Sequence, residues 1–363
     1  MRITMIVPGH IDRTTGGSIY DKRLRDYLRE KGVKTRLLSV PDPAYGLALL
    51  RSPLVSLSVA ARLAPQCDDL IIIDAWAHPC LLPFILARRG GRKTRLVLIV
   101  HQLRGGEPKT SAGRRIASAL ERAAIRSADL IITVSRFMRA NIEGLAGDAS
   151  RVLVASPGCD RPQQSGDRAG EVKRGPGVRL LFVGNCTPRK GLDYLLEALS
   201  ILKDPLLSLD VVGDSGFEPA YSERLRRLAQ GAGVGDAIRF HGRVSEEALR
   251  SFYSRADLFV MPSLYEGYGM VYGEAMRAGL PIIATEGGPV REIAREGENA
   301  LLVPPADAER LALAIGRLAS DPDLRSRFAR RSLELARELP TWPATCEQIF
   351  ESLRSLVQSN RSL

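Results

Sequence analysis

Aromatic side chains are scarce in this chain. They make up 6% of its 363 residues, and none interrupts the basic stretch from Lys109 to Arg126. That removes the stacking platform single-stranded nucleic acid needs, so a nucleic-acid partner is not expected. The five cysteines, at positions 67, 80, 159, 186 and 346, are scattered without paired spacing. They exclude a disulfide or zinc framework and read as small core residues in a reducing setting. The four histidines, His10, His78, His101 and His241, lack the close carboxylate spacing of a metal site, so no metal is expected. No uninterrupted apolar run approaches the roughly 20 residues that cross a bilayer. The opening Met1-Arg2-Ile3-Thr4-Met5-Ile6-Val7-Pro8 reads as a short strand and turn, not a signal peptide. Internal repeats are also missing. A cytoplasmic location is the resulting expectation.

What is present is an ordinary globular composition, 45% hydrophobic and 26% charged, in a chain long enough for two well-buried domains. The net charge of +11 is unevenly placed: residues 1–170 hold 27 Lys plus Arg against 15 Asp plus Glu, while residues 171–363 hold 25 against 26. The first half is the side expected to meet something anionic. Within it, Arg114, Arg115, Arg122 and Arg126 stand among Ile116, Ala119, Leu120 and Ala123, with Ile116 and Leu120 placed to face a core. This helix reads either as a solvated surface or as a peripheral contact with the inner face of an anionic membrane.

Short apolar strands alternate with helical periodicity in both halves. Strands are expected at Ile3–Val7, Thr35–Val40, Leu70–Ile73, Leu96–Val100 and Leu130–Val134, and again at Arg179–Val183, Leu207–Val212, Ala237–His241, Leu258–Met261 and Pro281–Thr285. Helices are expected between them, including Pro83–Arg88 and Tyr272–Ala278, and Gln163–Gly177 reads as a linker. The pattern implies an α/β protein of two Rossmann-like doubly wound domains facing an interdomain cleft. Their expected limits are 1–165 and 166–340, with a C-terminal helix over 341–363 crossing back to the first domain.

The segment Glu266-Gly267-Tyr268-Gly269-Met270-Val271-Tyr272-Gly273-Glu274 follows the strand-like run ending at Ser263. Glycines there let backbone N–H groups approach a diphosphate at the positive end of a helix, and the two carboxylates can receive sugar hydroxyls. With the run from Ala275 to Pro289, with Val183-Gly184-Asn185-Cys186-Thr187-Pro188-Arg189-Lys190-Gly191-Leu192 and with Thr15-Gly16-Gly17, the chain resembles a retaining glycosyltransferase of family 4 with the two-domain GT-B fold. The resemblance spans essentially the whole chain.

The resemblance implies roles for particular residues. Glu266 is the ligand of the transferred sugar, its plain alternative being a helix cap. Glu274 holds the ribose hydroxyls, with a solvated helix residue as alternative. Lys190 binds the donor diphosphate. Where the family carries an arginine, Asn185 stands, and Arg189 is the candidate to supply that charge. His101, ending the run Leu96–Val100, contacts the sugar from the first domain, its plain alternative being a packed, hydrogen-bonded histidine. By their places along the chain, Gly16 and Gly17 allow close approach to diphosphate or acceptor, or form a simple turn; Asp214 and Arg243, after later strands, border the nucleotide base, and Gly288, in another turn, positions the sugar. Tyr268, Gly269, Met270 and Val271 line the donor, and His10 is the acceptor-side candidate. The implied reaction passes a hexose-like group from a nucleotide diphosphate sugar to an acceptor hydroxyl, in glycan, glycolipid or glycoside biosynthesis, with the domains closing over the donor and no required metal. A sugar-nucleotide epimerase or glycoside phosphorylase is the enzyme alternative; a non-catalytic sugar-nucleotide or anionic-surface binding protein is the other.

Overall fold

A computed structural model describes residues 1–64, 68–88, 94–105, 110–159, 177–231 and 235–361. Cys67, Lys109 and nearly all of the linker expected over Gln163–Gly177 lie outside these residues. Two compact units emerge: Met1–Gly158 with Pro340–Leu363, and Cys159–Leu339.

The first unit runs β1 (Arg2–Pro8), α1 (Gly16–Glu30), β2 (Lys34–Val40), α2 (Tyr45–Leu63), β3 (Leu70–Asp74), α3 (His78–Leu86), β4 (Arg95–Val100), α4 (Ser111–Arg126), β5 (Leu130–Thr133), α5 (Arg136–Ala146) and β6 (Val152–Val154). Its parallel sheet has the order β2-β1-β3-β4-β5-β6. Every residue of β3 is buried, as expected of a strand covered by helices on both faces. The chain moves one way from β1 to β2 and the other way from β2 onward. With right-handed crossovers this puts α1 on one face and α2 to α5 on the other.

The second unit runs β7 (Val178–Val183), α6 (Leu192–Leu202), β8 (Leu207–Val212), α7 (Pro219–Gly231), β9 (Ile238–Gly242), α8 (Glu246–Arg255), β10 (Leu258–Met261), α9 (Met270–Arg277), β11 (Ile282–Thr285), β12 (Ala300–Val303), α10 (Ala308–Ser320) and α11 (Pro322–Ala336). Its sheet, β12-β11-β10-β7-β8-β9, is parallel throughout. The two parallel α/β halves expected from the alternation are therefore present.

Several elements differ from expectation. The 19-residue α2 escapes periodicity because its buried positions are Tyr45, Ala48, Ser52, Ser56, Val59 and Leu63, with Pro53 inside it. Its apolar residues are interrupted by Arg51, Pro53 and Arg62, so no uninterrupted apolar run of crossing length is present, although by length and average composition alone α2 reaches membrane-crossing size. α3 begins at His78, and Pro83, read as a helix start, lies in its interior. Ile116 is 59% exposed; the core side of α4 is Ala117, Glu121, Ala124 and Ile125. Glu121 is buried because its carboxylate accepts the N–H groups of Arg104 and Gly105 at 2.7 and 3.0 Å.

The last helix, α12 (Trp342–Arg361), packs within the first unit against α1. Gly158 admits it, since a Cβ there would fall 2.1 Å from the Trp342 nitrogen. Thr345 Oγ1 donates to Ser156 O at 2.7 Å, and Trp342 meets the edge of Tyr20 at 5.6 Å between ring centres. Trp342, Cys346, Ile349, Leu353 and Val357 are all buried. At about 2 kcal/mol for each large apolar side chain, their loss approaches the whole ~5–15 kcal/mol stability of a domain. A chain ending at Leu339 is expected to lose the cooperative melting of its first unit; calorimetry showing an unchanged melting profile would contradict this.

Candidate functional site

Each sheet reverses direction once, between β1 and β3 and between β7 and β10, and loops leaving the strands diverge there. Glu266, Lys190, Arg189 and His101 stand near these two points.

In the second unit, the loop after β7 carries Asn185, Arg189 and Lys190. Asn185 Oδ1 accepts the Asp214 N–H at 3.3 Å, and Asp214 pairs with Arg243 at 3.1 Å, linking the ends of β7, β8 and β9. Gly191 has φ 66°, and a Cβ there would stand 2.1 Å from Pro262 O. Glycine alone permits that approach to the loop after β10, which aims the preceding cations at Glu266.

Lys190 Nζ donates to Glu266 Oε1 at 2.6 Å, and Ser263 Oγ donates to the same oxygen at 2.7 Å. Arg189 Nη1 donates to Glu266 Oε2 at 3.2 Å and to Tyr265 O at 2.7 Å. The Arg189 side chain therefore points inward. Burial alone would raise the Glu266 pKa, but Lys190 and Arg189, with the Lys190 and Ser263 hydrogen bonds, bring it down to about 2. Burial lowers the Lys190 pKa against the upward pull of Glu266. Two cations and one carboxylate leave this cluster with an excess positive charge.

Gly269, at φ 87°, caps the start of α9, so Met270 and Val271 form its first turn. That turn holds no acidic residue to compete for an anion. Gly288, at φ 76°, lies beside Glu266: a Cβ on it would be 3.3 Å from Glu266 O. Tyr268 is buried. One turn into α9, Glu274 Oε2 accepts the Tyr253 hydroxyl at 2.7 Å. Burial raises the Glu274 pKa, and the Tyr253 hydrogen bond works the other way.

In the first unit, Thr15 caps α1, and Gly16 and Gly17 are its first residues. A Cβ on Gly17 would stand 2.9 Å from His101 Cδ2, so glycine is what admits the histidine. His101 Nε2 lies 3.2 Å from Asp21 Oδ1, and the ring meets the edge of Tyr20 at 5.1 Å. Tyr20 also holds Ala155 O and packs on Trp342, so α12 steadies the histidine's surroundings. His10 is exposed beyond β1 and stands apart from these contacts.

Sequence reasoning missed Asp21 and Asp74. Ligand atoms of Asp21, Asp74 and His101 all lie within 4.8 Å of one another, a grouping that spacing along the chain does not show. Burial, then Asp21, push the Asp74 carboxyl up to about 7. A protonated Asp74 carboxyl is within reach of Asp21, whose Oδ2 is buried with no hydrogen-bond partner. Burial opposes the charged imidazole of His101, but Asp21 and then Asp74 raise its pKa above the ordinary value. The cluster thus brings two carboxyl groups and an imidazole together, with the Asp74 carboxyl biased toward its protonated form and the His101 ring toward its charged form. The signals that could have found it are local: Asp21 stands four residues beyond Gly17, and Asp74 closes the apolar run Leu70–Ile73.

Two expectations follow. Lys190→Met leaves the buried Glu266 with Arg189 as its cation at 3.2 Å and is expected to cost about 3 kcal/mol, whereas Lys190→Met/Glu266→Leu recovers most of that; thermal unfolding in which the double variant is no better than the single would contradict the pairing. The folded Asp74 pKa is raised, so its contribution is full below about pH 4 and lost as pH rises through about 7. Asp74→Asn should flatten stability against pH in that window, and an unchanged slope would count against the raised pKa.

Residues 4–158 match the family described as "Glycosyl transferase 4-like domain", and residues 164–334 match "Glycosyl transferases group 1". The D-inositol 3-phosphate glycosyltransferase of Thermomonospora curvata is 32% identical over 240 residues, covering 61% of this chain and 56% of that protein. The GDP-mannose-dependent alpha-(1-6)-phosphatidylinositol monomannoside mannosyltransferase of Mycolicibacterium smegmatis is 31% identical over 283 residues, covering 73% and 72%. Matches to the first three curated relatives span only 56%, 62% and 58% of their lengths. Among solved structures, the sucrose-phosphate synthase of Thermosynechococcus elongatus superposes with a TM-score of 0.84 at 23% identity, covering 99% of both chains, which is a likeness of fold. With both halves matched in order on two parallel Rossmann-like sheets, the chain belongs to the group 1, family 4-type glycosyltransferases of GT-B fold.

Proposed function

We propose that this protein transfers a hexose-like sugar from a nucleotide diphosphate sugar to an acceptor hydroxyl with retention of anomeric configuration. The observation that carries the proposal is the convergence of Lys190 and Arg189 on Glu266, beside the acid-free first turn of α9. Its excess positive charge suits a leaving diphosphate, whose negative charge grows as the bond to the sugar lengthens. The bond from the anomeric carbon to the diphosphate oxygen breaks, and its electron pair leaves with the diphosphate. The acceptor oxygen bonds to the same face of that carbon, and its proton passes to the departing phosphate oxygen. Glu266, ionised down to about pH 2, stabilises positive charge on the sugar ring. Glu274 is assigned the ribose hydroxyls, and His101 the sugar hydroxyls.

The donor class is supported by the Mycolicibacterium relative, which depends on GDP-mannose. Lys190, Arg189 and the N–H groups of Met270 and Val271 are the proposed partners of the diphosphate, so turnover is expected to survive chelation of divalent ions.

The test is a panel of uridine, guanosine and adenosine diphosphate sugars against hydroxyl acceptors, with mass detection and NMR of the product anomer. Retained-anomer glycoside and free nucleoside diphosphate are expected, with a loss of about a hundredfold or more in Glu266→Gln. Isomerised donor without acceptor, or sugar phosphate as product, would replace the proposal with an epimerase or phosphorylase. Donor binding without turnover across the panel would leave a binding protein.

A further inference from the structure

α2 is built inside out. Between the buried Tyr45 and Leu63 at its ends, its inner side is Ala48, Ser52, Ser56 and Val59, while Leu47, Leu50, Leu54 and Leu57 are 42%, 77%, 75% and 69% exposed. Single exposed leucines are commonplace, but these recur at three- and four-residue steps and so share one helix face. The helix is held on its other side: Ser56 Oγ accepts the Phe84 N–H from α3 at 3.3 Å, and the Tyr45 hydroxyl donates to Ala117 O of α4. Anchored this way, α2 presents its leucines outward along its length. It is long and apolar enough to cross a bilayer, yet its seat on α3 and α4 suits it to lie flat upon one.

Charge identifies what covers the leucines. From Tyr45 to Leu63 there is no acidic residue, and the charged side chains are Arg51 and Arg62, both exposed. In the same helical layer, α4 opens a shallow hollow lined by Ser111, Arg114, Arg115, Ser118, Ala119 and Arg122, next to the exposed Ile116. A second copy of the chain would set these cations against their own kind. An acidic lipid surface takes both features, the leucines among acyl chains and the arginines at the phosphates.

We propose that the outer face of α2, with the α4 arginines, docks this protein in the plane of a bilayer containing anionic phospholipid. The inference stands independently of the glycosyl-transfer reading.

Co-sedimentation of the full chain with vesicles of phosphatidylcholine, alone or with about one third phosphatidylglycerol, tests it. The protein should pellet with the acidic vesicles and bind neutral ones about tenfold more weakly, with salt narrowing the gap. Leu50→Ser/Leu54→Ser/Leu57→Ser should lose about tenfold in binding while its thermal unfolding stays near wild type, because those side chains are already exposed. Arg114→Ala/Arg115→Ala/Arg122→Ala should lose the preference for acidic lipid. Equal binding to both vesicle types would overturn the proposal, as would undiminished binding by the leucine variant. So would a leucine-dependent dimer in lipid-free light scattering with no vesicle binding, which would give the face to a second copy.

Discussion

Where a parallel sheet reverses its strand order, neighbouring strands send their following loops to opposite faces, and their C-terminal ends stay uncovered. This happens once in each unit, and the polar constellations sit at those two ends. The close backbone approaches do the positioning. Gly191 against Pro262 O turns Lys190 and Arg189 toward Glu266, and Gly17 against the imidazole sets His101 beside Asp21. A methyl group at either glycine would push the charged partners apart.

The two constellations solve the cost of burying charge in opposite ways. Around Glu266 the penalty is offset by pairing: two cations and a hydroxyl reach one carboxylate, and it stays ionised to about pH 2. Around His101 it is reduced by protonation, since two buried carboxyls this close cannot both ionise cheaply, and Asp74 is pushed up to about 7. The first arrangement leaves spare positive charge for an anionic ligand. The second holds a positively biased imidazole in one orientation, with Tyr20 and the returning α12 packed behind it.

Much of the architecture was legible in the chain because strands buried on both faces are written as continuous apolar runs, Leu70–Ile73 and Leu258–Met261 among them. Lys190, Arg189 and Glu266 were legible because each stands beside a glycine turn that follows such a strand. α2 was not, since four of its leucines face outward while Ala48, Ser52 and Ser56 take the middle of its buried side, so the usual helical stripe pointed the wrong way. Ile116 misled for a related reason: Glu121, an acidic residue, took the interior place on α4 by capturing two backbone N–H groups.

By itself, then, the order of residues determined which segments become strands, where the glycine turns fall and which side chains stand on them, because those depend on local propensity and on spacing along the chain. Only the tertiary structure decided that Arg189 turns inward and that Asp21 and Asp74 meet His101. It also decided that a row of leucines remains outside. Each of these turns on which remote strand or helix supplies a partner, and distance along the chain carries no record of that.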